Sequence, residues 1–478
     1  MRGHRTSLLA TTLLALTLFT ACAARATEQP EARASDASAA AANDAGSAAP
    51  SDVQPSPTAA QPSPANADGA NAPAVDAGEK GSAPAVATAE WPQWRGPNRD
   101  GLVSGVAAPS AWPKELKQNW RVTVGVGHSS PVVSGGMIYQ FARQGEDETL
   151  LALDASTGKE LWRAGAVPAP YTVNPAASGH GKGPKSTPVV SNGRVFTLGI
   201  AGLLSAHDAK TGRLVWRKDF SKQFPVTSPL YGTSMSPVVV GDLLVAHVGG
   251  HDKGALTAFD AATGAVKWSY DADGPAYASP VVMTVAGERQ VVAFTQKELV
   301  SVSAATGALL WKLPAKTEYD TNCNTPVVYK DTFIVTLEGQ GMVAFRPARE
   351  GGKWSAKEVW RNEENELYMN TPVLHGSTLY GLSMKKKGQF FALDAATGKT
   401  IWQGPGRMGE NASIINVAGT LLALTNDAVL YVLPAGASSF APTAQYTVAN
   451  SQTWAHPVFL GDKLLVKDET TLASLSLK

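Results

Sequence analysis

Side chains that can perform chemistry are few and far apart in this chain of 478 residues. The eight histidines are scattered, and neither a His-Glu-x-x-His metal motif nor a Gly-x-Ser-x-Gly nucleophile motif occurs. The two cysteines, Cys22 and Cys323, form neither a Cys-x-x-Cys-His haem-attachment motif nor a disulfide framework. The sequence therefore predicts no catalytic residue, no metal ligand set and no cofactor-binding motif.

One glycine-rich segment, residues 179–186, has the length of a phosphate-binding loop. Pro184 stands where such a loop requires its second glycine, and proline has no N–H to donate to a phosphate. Thr187 and Pro188 then begin a predicted strand rather than a helix. We interpret the segment as a structural loop.

The start of the chain explains Cys22. Arg2 and Arg5 precede an apolar run over residues 8–19, which is too short to span a bilayer. Residues 19–22, Phe-Thr-Ala-Cys, resemble the lipobox of a bacterial lipoprotein signal, which implies cleavage before Cys22 and lipidation of its sulfur. An ordinary secretory signal cut after an alanine near residues 24–26 is the alternative. Both predict export, and Ala23 favours the outer membrane, facing the periplasm.

Residues 23–90 consist mostly of Ala, Ser, Pro, Asp and Gly. Such a segment has too few large apolar side chains to offset its ordering entropy. We interpret it as a disordered tether between the membrane and a globular head over residues 91–478, which we expect to be monomeric. The net charge of +1 gives no indication of a nucleic-acid partner.

The head is built from copies of one phrase, in which Asp-x-x-Thr-Gly is followed four residues later by Trp. Four copies begin at Asp154, Asp208, Asp260 and Asp394, and a fifth has Ser303 in place of the aspartate. An aspartate followed by Thr-Gly is typical of a hairpin turn, and the tryptophan then falls on the next strand. A repeat of this period predicts a solenoid or a propeller.

A second phrase, Ser/Thr-Pro followed by two apolar residues, predicts the inner strand of each sheet. Counting both phrases gives eight four-stranded blades, of which the last lacks a strand. Residues 119–123, which carry an unassigned tryptophan, are predicted to supply that strand and to close the ring. Seven blades is the alternative, if the degenerate unit over residues 412–446 forms no blade. The tryptophans predicted to dock one blade on the next are Trp120, Trp162, Trp216, Trp268, Trp311, Trp360 and Trp402.

This repeat resembles the tryptophan-docking repeat of the pyrroloquinoline-quinone (PQQ)-type β-propellers. Residues 91–101, Trp-Pro-Gln-Trp-Arg-Gly-Pro-Asn-Arg-Asp-Gly, are also similar to the opening of bacterial PQQ-like repeat proteins. The resemblance implies one of two functions. Quinoprotein alcohol and sugar dehydrogenases hold PQQ and Ca²⁺ on the propeller axis, whereas BamB-like lipoproteins of outer-membrane assembly hold no cofactor and bind protein partners.

The residues favour the second function. The dehydrogenase pattern has a vicinal cysteine pair over PQQ, and Cys323 has no cysteine neighbour. The repeats are also short, which leaves little room for the insertions of the dehydrogenases. We therefore expect a non-catalytic envelope scaffold with protein partners and no cofactor. A PQQ- and Ca²⁺-dependent dehydrogenase and a carbohydrate-binding module are the alternatives.

Loops that join the outer strand of one blade to the inner strand of the next gather at one mouth of a propeller. Polar and aromatic residues in these loops are candidates for binding a ligand or a peptide. The predicted channel-mouth residues are Tyr319, Asp320, Asn322, Asn324, Tyr368, Asn370, Arg407, Glu410 and Asn411.

Overall fold

A computed structural model of the chain describes residues 90–103, 105–222 and 229–478. The proposed signal and lipidation site, residues 1–22, and nearly all of the proposed tether, residues 23–90, lie outside the described residues. Two short 3-10 helices, Pro175–His180 and Lys385–Lys387, are the helices of this part of the chain. Neither is long and apolar enough to cross a membrane.

Within the described residues, thirty-three strands build eight sheets, which confirms the eight-bladed propeller and excludes the seven-bladed alternative. The strands of blades one to four are β3 (Val132–Ser134), β4 (Met137–Gln144), β5 (Asp147–Asp154), β6 (Glu160–Pro168), β7 (Val189–Ser191), β8 (Arg194–Leu198), β9 (Leu203–Asp208), β10 (Leu214–Asp219), β11 (Val238–Val240), β12 (Leu243–Gly250), β13 (Lys253–Asp260), β14 (Val266–Ala272), β15 (Val281–Val285), β16 (Glu288–Phe294), β17 (Glu298–Ser303) and β18 (Leu309–Pro314).

The remaining blades include the two strands from the front of the head, β1 (Leu102–Val103) and β2 (Lys117–Thr123). The strands of blades five to eight are β19 (Val327–Tyr329), β20 (Thr332–Leu337), β21 (Gly341–Glu350), β22 (Lys353–Asn362), β23 (Val373–His375), β24 (Thr378–Ser383), β25 (Gln389–Asp394), β26 (Thr400–Gln403), β27 (Ala412–Val417), β28 (Thr420–Thr425), β29 (Val429–Pro434), β30 (Ala444–Thr447), β31 (Val458–Phe459), β32 (Lys463–Lys467) and β33 (Thr471–Ser476).

The repeated Asp-x-x-Thr-Gly phrase forms the turn between the third and fourth strands of a blade. In blade one, Asp154 Oδ1 accepts the backbone N–H groups of Ser156 and Thr157 at 3.0 and 2.8 Å. Gly158 adopts a φ of 71°, which a residue without a Cβ adopts at low cost. The turn therefore starts the outer strand at a fixed point, and Trp162 on that strand lies at a fixed place.

Five of the seven docking tryptophans lie against the Thr-Gly turn of the following blade. The indole of Trp162 lies on Gly212, where an added Cβ would come within 2.6 Å of the ring. The same arrangement joins Trp120 to Gly158, Trp216 to Gly264, Trp268 to Gly307 and Trp360 to Gly398. Blade five has no Thr-Gly turn, and Trp311 instead stacks on Phe333 with ring centroids 4.9 Å apart.

The front of the head closes the ring as predicted, because β2 pairs antiparallel with β33 and completes blade eight. The degenerate unit forms blade seven from β27 to β30, with Tyr446 at the place of the tryptophan. The Tyr446 hydroxyl donates to the carbonyl of Pro113 at 2.6 Å. The sequence did not predict β1, which pairs in parallel with β27 and adds a fifth strand to blade seven.

Candidate functional site

A cavity of about 150 Å³ lies on the propeller axis, at the mouth where the inner strands begin. Its walls include the residue that precedes the inner-strand proline in each of the first six blades. These residues are Ser130, Thr187, Ser236, Ser279, Thr325 and Thr371. The same repeat position thus supplies a hydroxyl group to the cavity from six successive blades.

The hydroxyl groups also link neighbouring blades in a ring around the axis. The backbone N–H of His456 donates to Ser130 Oγ at 2.8 Å, and the N–H of Ser130 donates to Thr187 Oγ1 at 3.1 Å. The pattern continues from Thr187 through Ser236, Ser279 and Thr325 to Thr371 at 2.9–3.2 Å. Blade seven interrupts it, since Ala412 has no hydroxyl group. This ring explains why the repeat requires serine or threonine before the proline.

Residues 91–103, which we call the axial segment, run through the channel below the cavity and contribute Trp94 to its floor. The segment enters from the opposite end of the channel, where Trp91 exchanges two 2.8 Å backbone hydrogen bonds with Val133 of β3. It turns near the hydroxyl ring and returns as β1, and the N–H of Asn416 donates to the carbonyl of Gly101 at 2.8 Å. The channel is therefore crossed by its own chain.

Two buried arginines hold the axial segment to the inner strands. Arg99 donates to the carbonyls of Ser236, Pro237 and Pro280 at 2.9, 2.9 and 3.1 Å. Arg95 donates to the carbonyls of Thr371 and Pro372 at 2.8 and 2.7 Å. Burial lowers the pKa of Arg95 to about 10 and that of Arg99 to about 9, so both guanidinium groups are protonated at neutral pH.

Trp94 is the residue of the axial segment that faces the cavity. The guanidinium carbons of Arg95 and Arg99 lie 5.5 and 5.7 Å from its ring centroid. The imidazole of His456 meets the same indole edge-to-face at 5.4 Å. The floor is thus an aromatic ring with two cations behind it.

Aromatic side chains from the inter-blade loops form one wall. His128 stacks on Trp454 with centroids 5.5 Å apart and an interplanar angle of 13°, and His180 meets Trp454 edge-to-face at 4.9 Å. Tyr231 packs on His180 at 4.9 Å, and its hydroxyl lies 3.1 Å from that of Tyr368. The Pro175–His180 helix places His180 in this wall.

The charge of the cavity comes from Lys185. Burial lowers the pKa of this ammonium to about 8, which leaves it protonated at neutral pH. Burial also lowers the pKa of His456 to about 3 and holds the pKa of His128 well below its usual value, so both imidazoles are neutral. Among the described residues, no carboxylate lines the cavity.

Two of the predicted channel-mouth residues, Asn370 and Asn411, line the cavity. Tyr368 lies beside it through its contact with Tyr231. Asn322 and Asn324 are buried and bind backbone: Asn322 Nδ2 donates to the carbonyl of Ala315 at 2.6 Å, and Asn324 Nδ2 donates to that of Asn370 at 2.6 Å. These two asparagines hold the loops and, together with Tyr368, line a second cavity of about 260 Å³ that is separate from the axial one.

The other predicted residues lie away from the cavity. Tyr319 is 62% exposed, and Asp320 lies 3.1 Å from His251 Nε2. The backbone N–H of Arg407 donates to Lys386, and the backbone N–H of Glu410 donates to the side chain of Asn426. The residues that sequence reasoning missed are Trp94, His128, Lys185, His180, Tyr231 and Trp454. They lie outside the repeated phrases, whereas the hydroxyl positions were visible in every Ser/Thr-Pro phrase.

PQQ with Ca²⁺ does not fit these residues. A Ca²⁺ ion takes carboxylate and carbonyl oxygens, and the described lining offers no carboxylate. PQQ is a fused-ring tricarboxylate. The described lining offers one ammonium group, that of Lys185, to balance its three carboxylates. A cavity of about 150 Å³ has room for a single six-membered ring.

Comparison with known proteins places the sequence near two groups. The family model described as outer membrane protein assembly factor BamB matches residues 111–179 and 146–404. BamB of Shewanella oneidensis is 28% identical over half of this chain, and this match spans 61% of that protein. BamB of Yersinia pestis is 23% identical over 73% of this chain and 85% of its own length. The quinone alcohol dehydrogenase subunit of Komagataeibacter europaeus is 25% identical over 70% of this chain and 45% of its own length.

Solved structures of both groups share the fold. BamB from Moraxella catarrhalis superposes with a TM-score of 0.54 at 14% identity, covering 76% of this chain and 98% of that one. Quinohemoprotein alcohol dehydrogenase ADHIIG from Pseudomonas putida superposes with a TM-score of 0.56 at 14% identity, covering 81% and 80%. At this identity the likeness describes the fold alone, so the site must decide between functions.

Proposed function

Because the chain belongs to the PQQ-like β-propeller family, whose model is described as outer membrane protein assembly factor BamB, we propose that it is a non-catalytic scaffold of the bacterial envelope. The observation that carries the proposal is the composition of the axial cavity. Its described lining combines hydroxyl, aromatic and imidazole groups with one ammonium and lacks the carboxylates of a Ca²⁺ site. We propose accordingly that the head works without PQQ.

The neutral histidines support the same conclusion. A general base must lie within reach of a substrate proton and have a pKa near the working pH. His128 and His456 are held far below that range by burial, and Cys323 has a pKa raised by burial. Neither imidazole is therefore prepared to accept a proton from an alcohol.

The relatives suggest the place of action. Three BamB proteins cover 50–74% of this chain at 23–28% identity. We propose that lipid on Cys22 anchors the protein in the outer membrane, that residues 23–90 act as the tether, and that the head faces the periplasm. Its partners are proteins of the envelope that take part in outer-membrane assembly.

A contact surface is available on the loop that joins β18 to β19, away from the axial cavity. Tyr319 is 62% exposed there, and large exposed aromatic side chains are enriched in protein interfaces. The Asp320 carboxylate beside His251 adds a polar neighbour. We propose that a partner contacts this loop through Tyr319 and leaves the axial cavity untouched.

The scaffold role is tested by deleting the gene in its own bacterium and measuring folded outer-membrane proteins in isolated envelopes. We expect their amount to fall and to be restored by the full-length chain. Complementation with Tyr319→Ala should fail in part, whereas the matched variant Tyr329→Phe, on the inner strand β19, should restore the amount fully. Unchanged outer-membrane proteins in the deletion strain would contradict the scaffold role.

A second candidate, a quinone-dependent alcohol dehydrogenase, is favoured by the relative from Komagataeibacter europaeus. That match spans less than half of the relative, and the cavity residues described above do not fit the cofactor. The two candidates make opposite predictions for alcohol-dependent dye reduction in the presence of PQQ and Ca²⁺, which the scaffold should not catalyse.

A further inference from the structure

The hydroxyl ring presents donors to the cavity. Each of the six oxygens already accepts a backbone N–H from the preceding blade, as between Ser279 and Thr325 at 3.0 Å. Within the described part of the chain, none of these hydroxyl groups donates to a protein acceptor. Their protons are thus available to an occupant of the cavity that carries acceptor oxygens.

The electrostatic field in the cavity favours negative charge. Lys185 lines the wall as a protonated ammonium, and the guanidinium carbons of Arg95 and Arg99 lie within 6 Å of the Trp94 ring centroid. The carboxylate of Glu148 acts electrostatically on Lys185, and its Oε1 accepts the backbone N–H of Ile200 at 2.8 Å. Burial raises the pKa of Glu148 to about 7, which weakens its ability to neutralise the ammonium.

The walls specify the body of the occupant. Trp94 forms the floor and Trp454 and Tyr231 form the side, so a flat or chair-shaped ring can stack on one of them. The volume of about 150 Å³ matches a body of one ring. A simple inorganic anion would use the donors and leave the aromatic surfaces without a contact.

We propose that the axial cavity is a binding site for a small organic anion, a carboxylate carried on a single ring. The carboxylate of the ligand lies among the six Ser/Thr hydroxyl groups and the Lys185 ammonium. The ligand's own ring stacks on the aromatic walls of the cavity. This site is independent of the scaffold role, since Tyr319, in the β18–β19 loop, is not among the residues that line the cavity.

The test is isothermal titration of the full-length protein with benzoate and D-glucuronate, and with benzamide and inorganic phosphate as comparison ligands. Benzamide keeps the ring and lacks the charge, while phosphate keeps the charge and lacks the ring. We expect benzoate or D-glucuronate to bind. Benzamide and phosphate should bind at least 10-fold more weakly than the carboxylate that binds. Whether benzoate or glucuronate binds distinguishes an aromatic body from a sugar body.

Variants of the same loop locate the site. Lys185→Met should weaken carboxylate binding by roughly 10- to 100-fold, because it removes a charge-assisted hydrogen bond. Lys185→Arg should stay within a few fold of the wild type. Lys182→Met, which removes an exposed ammonium three residues away, is the matched control and should leave binding unchanged.

The proposal is overturned if no ring carboxylate binds at millimolar concentration, or if benzamide or phosphate binds as tightly. It is equally overturned if Lys185→Met, shown by its melting curve to be folded, binds as the wild type does, or if Lys182→Met loses as much affinity. Outer-membrane protein levels in the deletion strain test the scaffold role separately.

Discussion

The glycine of each Thr-Gly turn has two structural tasks. Gly212 adopts a φ of 74°, and it also lies under the indole of Trp162 from the preceding blade. The first task is evident from the turn phrase, whereas the second involves a residue from another repeat. Sequence reasoning therefore predicted the turn and the tryptophan, and it could not predict that they touch.

The two tasks are separable by mutation. Gly193 in the same blade has a φ of 70° with open space around it, so Gly193→Ala should cost about 1 kcal/mol through its backbone conformation alone. Gly212→Ala should cost a further ~1–3 kcal/mol, because its Cβ would overlap the Trp162 ring. Urea unfolding of both variants measures the difference, and equal losses would show that the indole contact contributes nothing.

His247 makes the stability depend on pH. It is buried, its Nε2 lies 3.1 Å from the carbonyl of Asp273, and its Nδ1 has no partner in the described structure. A proton added to Nδ1 would be buried without an acceptor, and burial lowers the pKa of this histidine to about 4. The folded pKa lies below the unfolded value of 6.5, so stability is lost as pH falls from about 6.5 through 4.

We expect this loss to reach about 3 kcal/mol at its acid limit, from the linkage between pKa and stability. Unfolding free energies measured between pH 7 and pH 4 should fall less steeply in His247→Gln than in the wild type. A variant with the wild-type slope would contradict the role assigned to His247.

At the scale of the element, the inner strands are held together by the hydroxyl ring. The Ser/Thr-Pro phrase predicted these strands correctly from the proline, which needs no N–H at a strand start. Sequence reasoning assigned no role to the hydroxyl group, because its hydrogen-bond partner lies in the neighbouring blade. The Thr325 hydroxyl, for example, accepts the backbone N–H of Ser279. Blade seven has Ala412 at this position and lacks both the phrase and the bond.

Thr325 provides the test of the ring. Thr325→Val keeps the shape of the side chain and removes the acceptor for the buried N–H of Ser279, so it should destabilise the protein by about 1–3 kcal/mol. Thr325→Ser keeps the acceptor and should recover most of that loss. The two variants are compared by thermal unfolding, and a valine variant as stable as the serine variant would exclude a stabilising ring.

At the scale of the whole molecule, the closed ring was predictable and the axial segment was not. Trp120 belongs to none of the repeated phrases, and a count of predicted strands leaves the last blade one strand short. The pairing of β2 with β33 was therefore predictable from the sequence. The contacts of Arg95 and Arg99 go to carbonyls on different blades and leave no periodic trace in the sequence. Because these contacts leave no periodic pattern, the sequence did not predict the cavity floor or the aromatic side chains around it.

The arginines should govern how firmly the channel is closed. Arg99→Met leaves the carbonyls of Ser236, Pro237 and Pro280 without their donor, and a buried unpaired acceptor costs about 1–3 kcal/mol. Hydrogen exchange in peptides covering residues 91–103 should accelerate by roughly 10- to 100-fold. Arg213→Met, at an exposed turn, should leave exchange in this segment unchanged. Unaltered protection in Arg99→Met would show that other contacts hold the segment.

The most direct test of the whole account is a titration of the full-length protein with PQQ in the presence of Ca²⁺, followed by an assay of dye reduction with alcohols and sugars. A cavity with one ammonium, an indole floor and no carboxylate in its described lining should bind PQQ no more tightly with Ca²⁺ than without it, and no dye should be reduced. Tight Ca²⁺-dependent binding together with alcohol-dependent dye reduction would contradict the scaffold and establish a quinoprotein enzyme.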